Sequence, residues 1–238
     1  MIHPKDKILV ALDVETREAA LALADALRGS VGGFKIGSRL FTSEGPAMVR
    51  ALTERGDRVF LDLKYHDIPN TVAQAVAAAS QLGVWMLNVH AVGGTAMMQA
   101  ARDAAQESAA KGGKTAPLVI AVTVLTSMNQ KALKDTGVVI DLMDQVLRLA
   151  ELTKEAGLDG VVASPRETAG IRHRCGNAFQ IVTPGIRAAD AAKDDQARTM
   201  TPGEAVKAGA SYLVVGRPII AAPDPAAAAA AIVGSLGS

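Results

Sequence analysis

Short runs rich in Val, Ile and Leu recur along the whole chain, and most are followed by a stretch of helical composition. The runs are KILVALD (7–13), GFKIG (33–37), RVFLDLK (58–64), VWMLNVH (84–90), PLVIAVTV (117–124), DGVVAS (159–164), FQIVTPG (179–185) and SYLVVG (211–216). Most are near-continuously apolar rather than alternating, as expected for parallel strands covered on both faces. Among and after them lie REAALALADAL (17–27), TVAQAVAAASQL (71–82), GTAMMQAARDAAQESAA (94–110), DLMDQVLRLAELTKEA (141–156), PGEAVKAGA (202–210) and DPAAAAAAIV (224–233). Gly83 is a natural C-cap, and Pro225 stands near a helix start.

Eight βα units in 238 residues predict an α/β fold, a (β/α)8 TIM barrel forming a single domain over residues 1–238. The competing arrangement is a doubly wound open sheet. No G-x-G-x-x-G follows the first run, where the chain reads ALDVET, and this weakens a dinucleotide-binding reading. The N-terminal apolar run is stopped by Asp13, and no segment approaches 18 uninterrupted apolar residues, so neither a signal peptide nor a membrane span is expected. The 25 Lys and Arg nearly cancel the 24 Asp and Glu, which predicts no general attraction to nucleic acid or acidic membranes. With Cys175 alone, no intrachain disulfide can form, which suits a cytoplasmic setting.

The unusual feature is where the charges fall. In a parallel barrel, function collects at the carboxyl ends of the strands. Here the first run ends in Asp13, the second carries Lys35, the third carries Asp62 and Lys64, and the fourth ends in His90. The fifth runs into Thr126-Ser127 and the eighth into Gly216-Arg217. Strand side chains alternate, so Phe60, Asp62 and Lys64 share one face, with Lys35 on a neighbouring strand. Each opposite-charge pair there is worth on the order of 4 kcal/mol at about 4 Å and an effective dielectric near 20, before desolvation. Some members have simpler uses. Asp67 precedes Pro69 in a helix-capping pattern, Asp13 could shape the turn into the first helix, a lone lysine can snorkel, and His66 and His90 read as hydrogen-bonding groups. Asp62 and Lys64 together in an apolar strand resist such accounts. Asp13, Asp62 and Asp67 could instead hold Mg²⁺, although Lys35 and Lys64 would crowd a cation.

The motif F-x-D-x-K-x-x-D-I-P-N-T, Phe60 to Thr71, closely resembles the signature of the orotidine 5′-phosphate decarboxylase family, in its single-function bacterial form. The resemblance extends over the chain through LDV (12–14), FKIG (34–37), NVHAVGG (88–94), LTSM (125–128), TPGIR (183–187) and VGRPI (215–219). It implies a cytoplasmic carboxy-lyase of pyrimidine biosynthesis, converting orotidine 5′-monophosphate to uridine 5′-monophosphate with neither metal nor organic cofactor. By matching position, Lys35, Asp62, Lys64 and Asp67 would form a charged array, with Lys64 the proton donor to C6. The resemblance further implies a homodimer in which Asp67 and Thr71 complete the partner's site. Asp13 and Lys35 would hold ribose hydroxyls, Thr126 and Ser127 the pyrimidine edge, and Gly216 and Arg217 the phosphate. Gln196 would close over from 187–200, a polar stretch suited to a lid, with Arg187 at its base. Metal-using relatives that act on sugar phosphates carry an acidic residue where this chain has Lys35. The alternatives are a metal-dependent sugar-phosphate lyase or epimerase of this barrel group, and a non-catalytic phosphate-binding barrel.

Overall fold

The computed structural model describes residues 3–186 and 200–236. Its strands are β1 (Ile8–Ala11), β2 (Gly33–Gly37), β3 (Val59–Tyr65), β4 (Met86–His90), β5 (Leu118–Val122), β6 (Gly160–Val162), β7 (Gln180–Thr183) and β8 (Tyr212–Val215). All neighbours pair in parallel, and β8 returns to β1, so the sheet closes into a barrel in sequence order. The open-sheet alternative is therefore excluded. The surrounding helices are α1 (Arg17–Leu27), α2 (Ser38–Thr53), α3 (Pro69–Gln81), α4 (Gly94–Lys111), α5 (Gln130–Asp135), α6 (Leu142–Glu155), α7 (Thr168–Cys175), α8 (Pro202–Lys207), α9 (Arg217–Ile220) and α10 (Pro225–Gly234). No helix among the described residues is long and apolar enough to cross a membrane.

Several strands stop short of their apolar runs. β1 ends at Ala11, β5 at Val122 and β7 at Thr183, so the last residues of each run turn over the mouth of the barrel instead of extending it. Helices α2, α5, α7 and α9 lie outside the helical stretches read from the sequence. For α2 the cause is visible, since Gly45 breaks its helical backbone at φ 65, ψ −165 just before Pro46, and a G-P pair reads as a turn. α7 carries almost no amphipathic pattern and buries only Thr168, Ile171 and Cys175.

Two apolar layers result from the strand alternation. Outward-facing residues such as Leu61, Leu87 and Leu213 pack against the helices in one large cluster. Inward-facing Leu9, Ala11, Phe60, Met86, Ile120, Val122, Val162, Val182, Tyr212 and Val214 fill the barrel. At its base Trp85 meets Tyr212 edge-on at 5.0 Å, and the Arg58 guanidinium lies 4.0 Å from the Trp85 ring centroid. Each fully buried side chain of this size contributes about 1.5–3 kcal/mol, so the interior is a packed plug and only its upper end is free for chemistry. The inner layer also needs small residues. A Cβ at Gly160 would overlap the backbone carbonyl of Gln180 on the next strand. Gly160→Ala is expected to lower stability by about 1–3 kcal/mol through that overlap, read as a shift in the urea midpoint at unchanged slope.

Candidate active site

The upper end of the barrel holds four charged side chains in a connected chain of contacts. Lys35, centred in β2 and only 8% exposed, is brought beside β3 by the pairing of Gly37 with Asp62. Its Nζ lies 3.2 Å from Asp13 Oδ1 and 3.5 Å from Asp62 Oδ2. The Nζ of Lys64 donates to Asp62 Oδ1 at 2.6 Å. Asp62 is thus flanked by two ammonium groups, one on each carboxylate oxygen. Gly37 makes room for this arrangement, because a Cβ there would stand 2.8 Å from Lys35 Nζ.

β3 is irregular where it carries these groups. Leu61 pairs with Leu87 and Tyr65 with Val89, so β3 takes four steps where β4 takes two. Within this bulge Lys64 adopts φ 54, and it is the one non-glycine residue with positive φ among the described residues. Bulges commonly re-aim side chains beside active sites, and a positive φ outside glycine is uncommon enough to mark a built feature. Asn88, fully buried on β4, spans the gap. Its Oδ1 accepts the backbone N–H of Lys64 at 2.8 Å, and its Nδ2 donates to Asp62 Oδ1 at 2.7 Å.

A cavity of about 890 Å³ opens above this cluster. Asp13, Lys35, Asp62, Lys64, Thr126, Gly216 and Arg217, all candidates from the sequence, line it together. Ser127 follows Thr126 as an exposed residue outside the lining. Asp67 and Thr71 are exposed and do not line their own chain's cavity. Arg187 and Gln196 lie outside the described residues. The lining carries Lys35, Arg39, Lys64 and Arg217 against Asp13 and Asp62, an excess of positive charge suited to an anionic ligand. The rest of the wall is largely apolar, including Val122, Val124, Val162, Ile186 and Val214.

One local reading is corrected. Asp67 does not cap α3, whose N-cap is Ile68 with no side-chain bond; the Asp67 carboxylate instead accepts the N–H of Ile68 at 2.6 Å. The cap of α1 is Thr16, which accepts the N–H of Ala19, while Asp13 contacts Lys35. Asp13, Asp62 and Asp67 do not gather as a metal cluster, and no such cluster occurs among the described residues. His66 and His90 stack at 5.5 Å in a tilted pair beside the cluster.

Comparison with known proteins places this geometry. Residues 6–232 match the model of the Orotidine 5′-phosphate decarboxylase / HUMPS family. A relative from Moorella thermoacetica named orotidine 5′-phosphate decarboxylase is 58% identical over 97% of this chain and 92% of its own. One of the same name from Syntrophotalea carbinolica is 52% identical over 98% and 96%. The chain belongs to the orotidine 5′-phosphate decarboxylase / HUMPS family. The fold agrees: the crystal structure of orotidine 5′-phosphate decarboxylase from Lactobacillus acidophilus superposes with a TM-score of 0.87 at 37% identity, covering 97% of this chain and 99% of the other.

Within this family member, the sequence reading missed Asn88, Gly37 and Arg39 as parts of the site. Asn88 and Gly37 sat in quoted motifs, but their roles depend on a cross-strand register that only the closed barrel supplies. Arg39, at the start of α2, lines the mouth and pairs with Glu15 at 2.7 Å.

The electrostatics follow from the contacts. Burial alone would push the Asp62 carboxyl up, but Lys35, Lys64 and the hydrogen bonds from Lys64 and Asn88 outweigh it and hold it below its ordinary value. Burial chiefly, with His66 and Lys64 nearby, pushes the His90 imidazole down, which favours its neutral form. A carboxyl depressed in the folded state stabilises the fold above its unfolded value, and that contribution is lost as pH falls through the folded value. Asp62→Asn is therefore expected to destabilise the protein at pH 7 by a few kcal/mol, since it leaves Lys35 and Lys64 without their shared counter-charge. The difference from wild type in urea unfolding should narrow only below the ordinary aspartate range. A gap that is constant across the acid range would contradict this account.

Proposed function

We propose that the chain decarboxylates orotidine 5′-monophosphate to uridine 5′-monophosphate, with Lys64 and Asp62 at the reacting carbon. The observation that carries this reading is the Lys35–Asp62–Lys64 chain at the floor of a cationic, otherwise apolar cavity in a member of this family. The substrate brings a carboxylate and a phosphate, and the cavity offers cations for both. Its carboxylate would sit beside Asp62, a like-charge contact that disappears when the C6–carboxylate bond breaks and CO2 leaves. The bonding electron pair stays on C6, where the Lys64 ammonium stabilises it and then delivers a proton, and water restores the lysine. An interaction that strengthens as charge moves onto C6 lowers the barrier without merely tightening substrate binding. The apolar wall keeps water from weakening these terms.

Binding would run outward from the floor. Asp13 and Lys35 take ribose hydroxyls, Thr126 the pyrimidine edge, with Ser127 assigned there by sequence position alone, and Arg217 with the Gly216 N–H takes the phosphate, where a forked guanidinium fits well. Arg187 and Gln196 are assigned to the phosphate side by sequence position alone. The reading requires no metal or organic cofactor, so turnover should survive exhaustive chelation. The purified protein with orotidine 5′-monophosphate and no added metal is expected to consume the orotate absorbance, and Lys64→Ala should abolish turnover while still binding uridine 5′-monophosphate. Binding without any turnover by the wild type would favour the non-catalytic barrel.

The reading includes a homodimer whose sites are shared. Supporting it, residues 66–71 are all exposed at the rim, and Ile68 is 67% and Val92 53% exposed, apolar surface that a second subunit would cover. Asp67 and Thr71 would then reach the partner's cavity rather than their own. Inactive Asp67→Asn and Lys64→Ala variants, once mixed and allowed to exchange, are expected to regain part of the wild-type activity through hybrid dimers. No recovery after demonstrated exchange would remove the shared site.

A further inference from the structure

Asn88 is the fully buried polar residue on the inner face of β4, directly above Met86 in the barrel, and both ends of its amide bond to β3. One end accepts the N–H that Lys64 turns aside in its φ 54 conformation, a group that the bulged β3–β4 ladder leaves without its regular partner. The other end donates to the same Asp62 oxygen that receives the Lys64 ammonium. We propose that Asn88 is a positioning residue for the decarboxylation, holding the Lys64 backbone in its left-handed conformation and fixing the Asp62 carboxylate so that Oδ1 faces the Lys64 ammonium. It touches neither cavity nor substrate, since it is absent from the lining, and acts through its two partners. The inference rests on Lys64 and Asp62 being the reacting groups.

The physical need for such a residue is specific. An αL conformation at lysine is strained and persists only where its surroundings over-determine it. Asp62 has several rotamers open to it unless each oxygen is fixed, and Lys35 fixes only the other one. An apolar side chain at position 88 would leave the Lys64 N–H buried without a partner and leave Asp62 Oδ1 held by the longer, more flexible Lys64 side chain alone. A loss of aim of about 1 Å at reacting groups costs on the order of 100-fold in rate.

The test measures kcat, KM and melting temperature for Asn88→Ala, Asn88→Asp and Lys64→Ala in the full-length protein. Asn88→Ala is expected to lower kcat on the order of 10- to 100-fold with KM changed by no more than about threefold, the mark of an interaction felt in the transition state. Asn88→Asp keeps the volume and the acceptor for the Lys64 N–H, so it carries the test even if the alanine variant fails to fold. It turns a carboxylate oxygen toward Asp62, and two carboxylates at that separation cannot both ionise. Its kcat should therefore fall further below wild type as pH rises and recover toward acid. The charged and titratable groups facing position 88 are Asp62 and Lys64 from β3, Lys35 behind them on β2, and the His66–His90 pair; β5 presents none. Because those groups are common to wild type and variant, the signature is the ratio of the two profiles. Wild-type kcat and an unchanged profile in Asn88→Asp, or losses in Asn88→Ala that match the loss of folded protein, would overturn the assignment. Full turnover by Lys64→Ala would instead overturn the reading of the reacting groups.

Discussion

Asp62 is the anion that lets two ammonium groups share one end of a barrel. Lys35 comes from β2 and Lys64 from the far side of the bulge in β3, and each meets a different oxygen of the same carboxylate. Without that carboxylate the two cations would repel across a low-dielectric space, and without the cations it would not stay ionised under such burial. Asp13 extends the alternation through its contact with Lys35, so charge sign changes at each step along Asp13, Lys35, Asp62 and Lys64. The cost of desolvating this set is carried by the packed barrel beneath it, whose inner face is apolar from Trp85 at the base up to Phe60 and Val122.

The bulge in β3 explains how one short strand supplies two of these groups. In a regular strand, Asp62 and Lys64 would both project inward and their backbone groups would pair with β4. Here β3 gains two residues against β4, the strand leaves the ladder, and Lys64 turns through a positive φ. The orphaned N–H is met by the Asn88 side chain, which also reaches Asp62. Backbone irregularity, buried amide and charge cluster are therefore one construction, and none of the three is explicable alone.

How much of this the sequence disclosed depends on the range of the interaction. The barrel was legible because apolar runs and helical stretches repeat with local periodicities, and all eight strands formed where the runs predict. Lys35, Asp62 and Lys64 were legible because ionisable residues in apolar strands conflict with the local pattern, and such conflicts mark functional sites. Asn88 was not, since a single amide in VWMLNVH violates little, and its importance lies in a register shift on another strand. Asp67 misled in the opposite direction. Its D-x-P spacing imitates a helix cap, yet the helix begins after Ile68 with no side-chain bond, because the carboxylate is spent on the adjacent N–H. The break in α2 at Gly45-Pro46 hid a helix for the plain reason that the local backbone there is not helical.

The same Asp67 bond bears on the proposed shared site. Only Tyr65 and His66 stand between Lys64 and Asp67, but the chain leaves β3 at Tyr65 and enters α3 at Pro69, exposed from His66 through Thr71. The Asp67 carboxylate accepts the Ile68 N–H, and Asp67 is exposed and outside the lining of its own chain's cavity. In the proposed dimer this carboxylate is supplied to the neighbour's cavity. In that proposed dimer the exposed apolar side chains of Ile68 and Val92 would supply driving force for association, and Asp67 beside Ile68 would supply the charge. Dimerisation and catalysis would then be coupled by geometry, since a subunit that loses its neighbour keeps Lys35, Asp62 and Lys64 in place but lacks the charge that completes them.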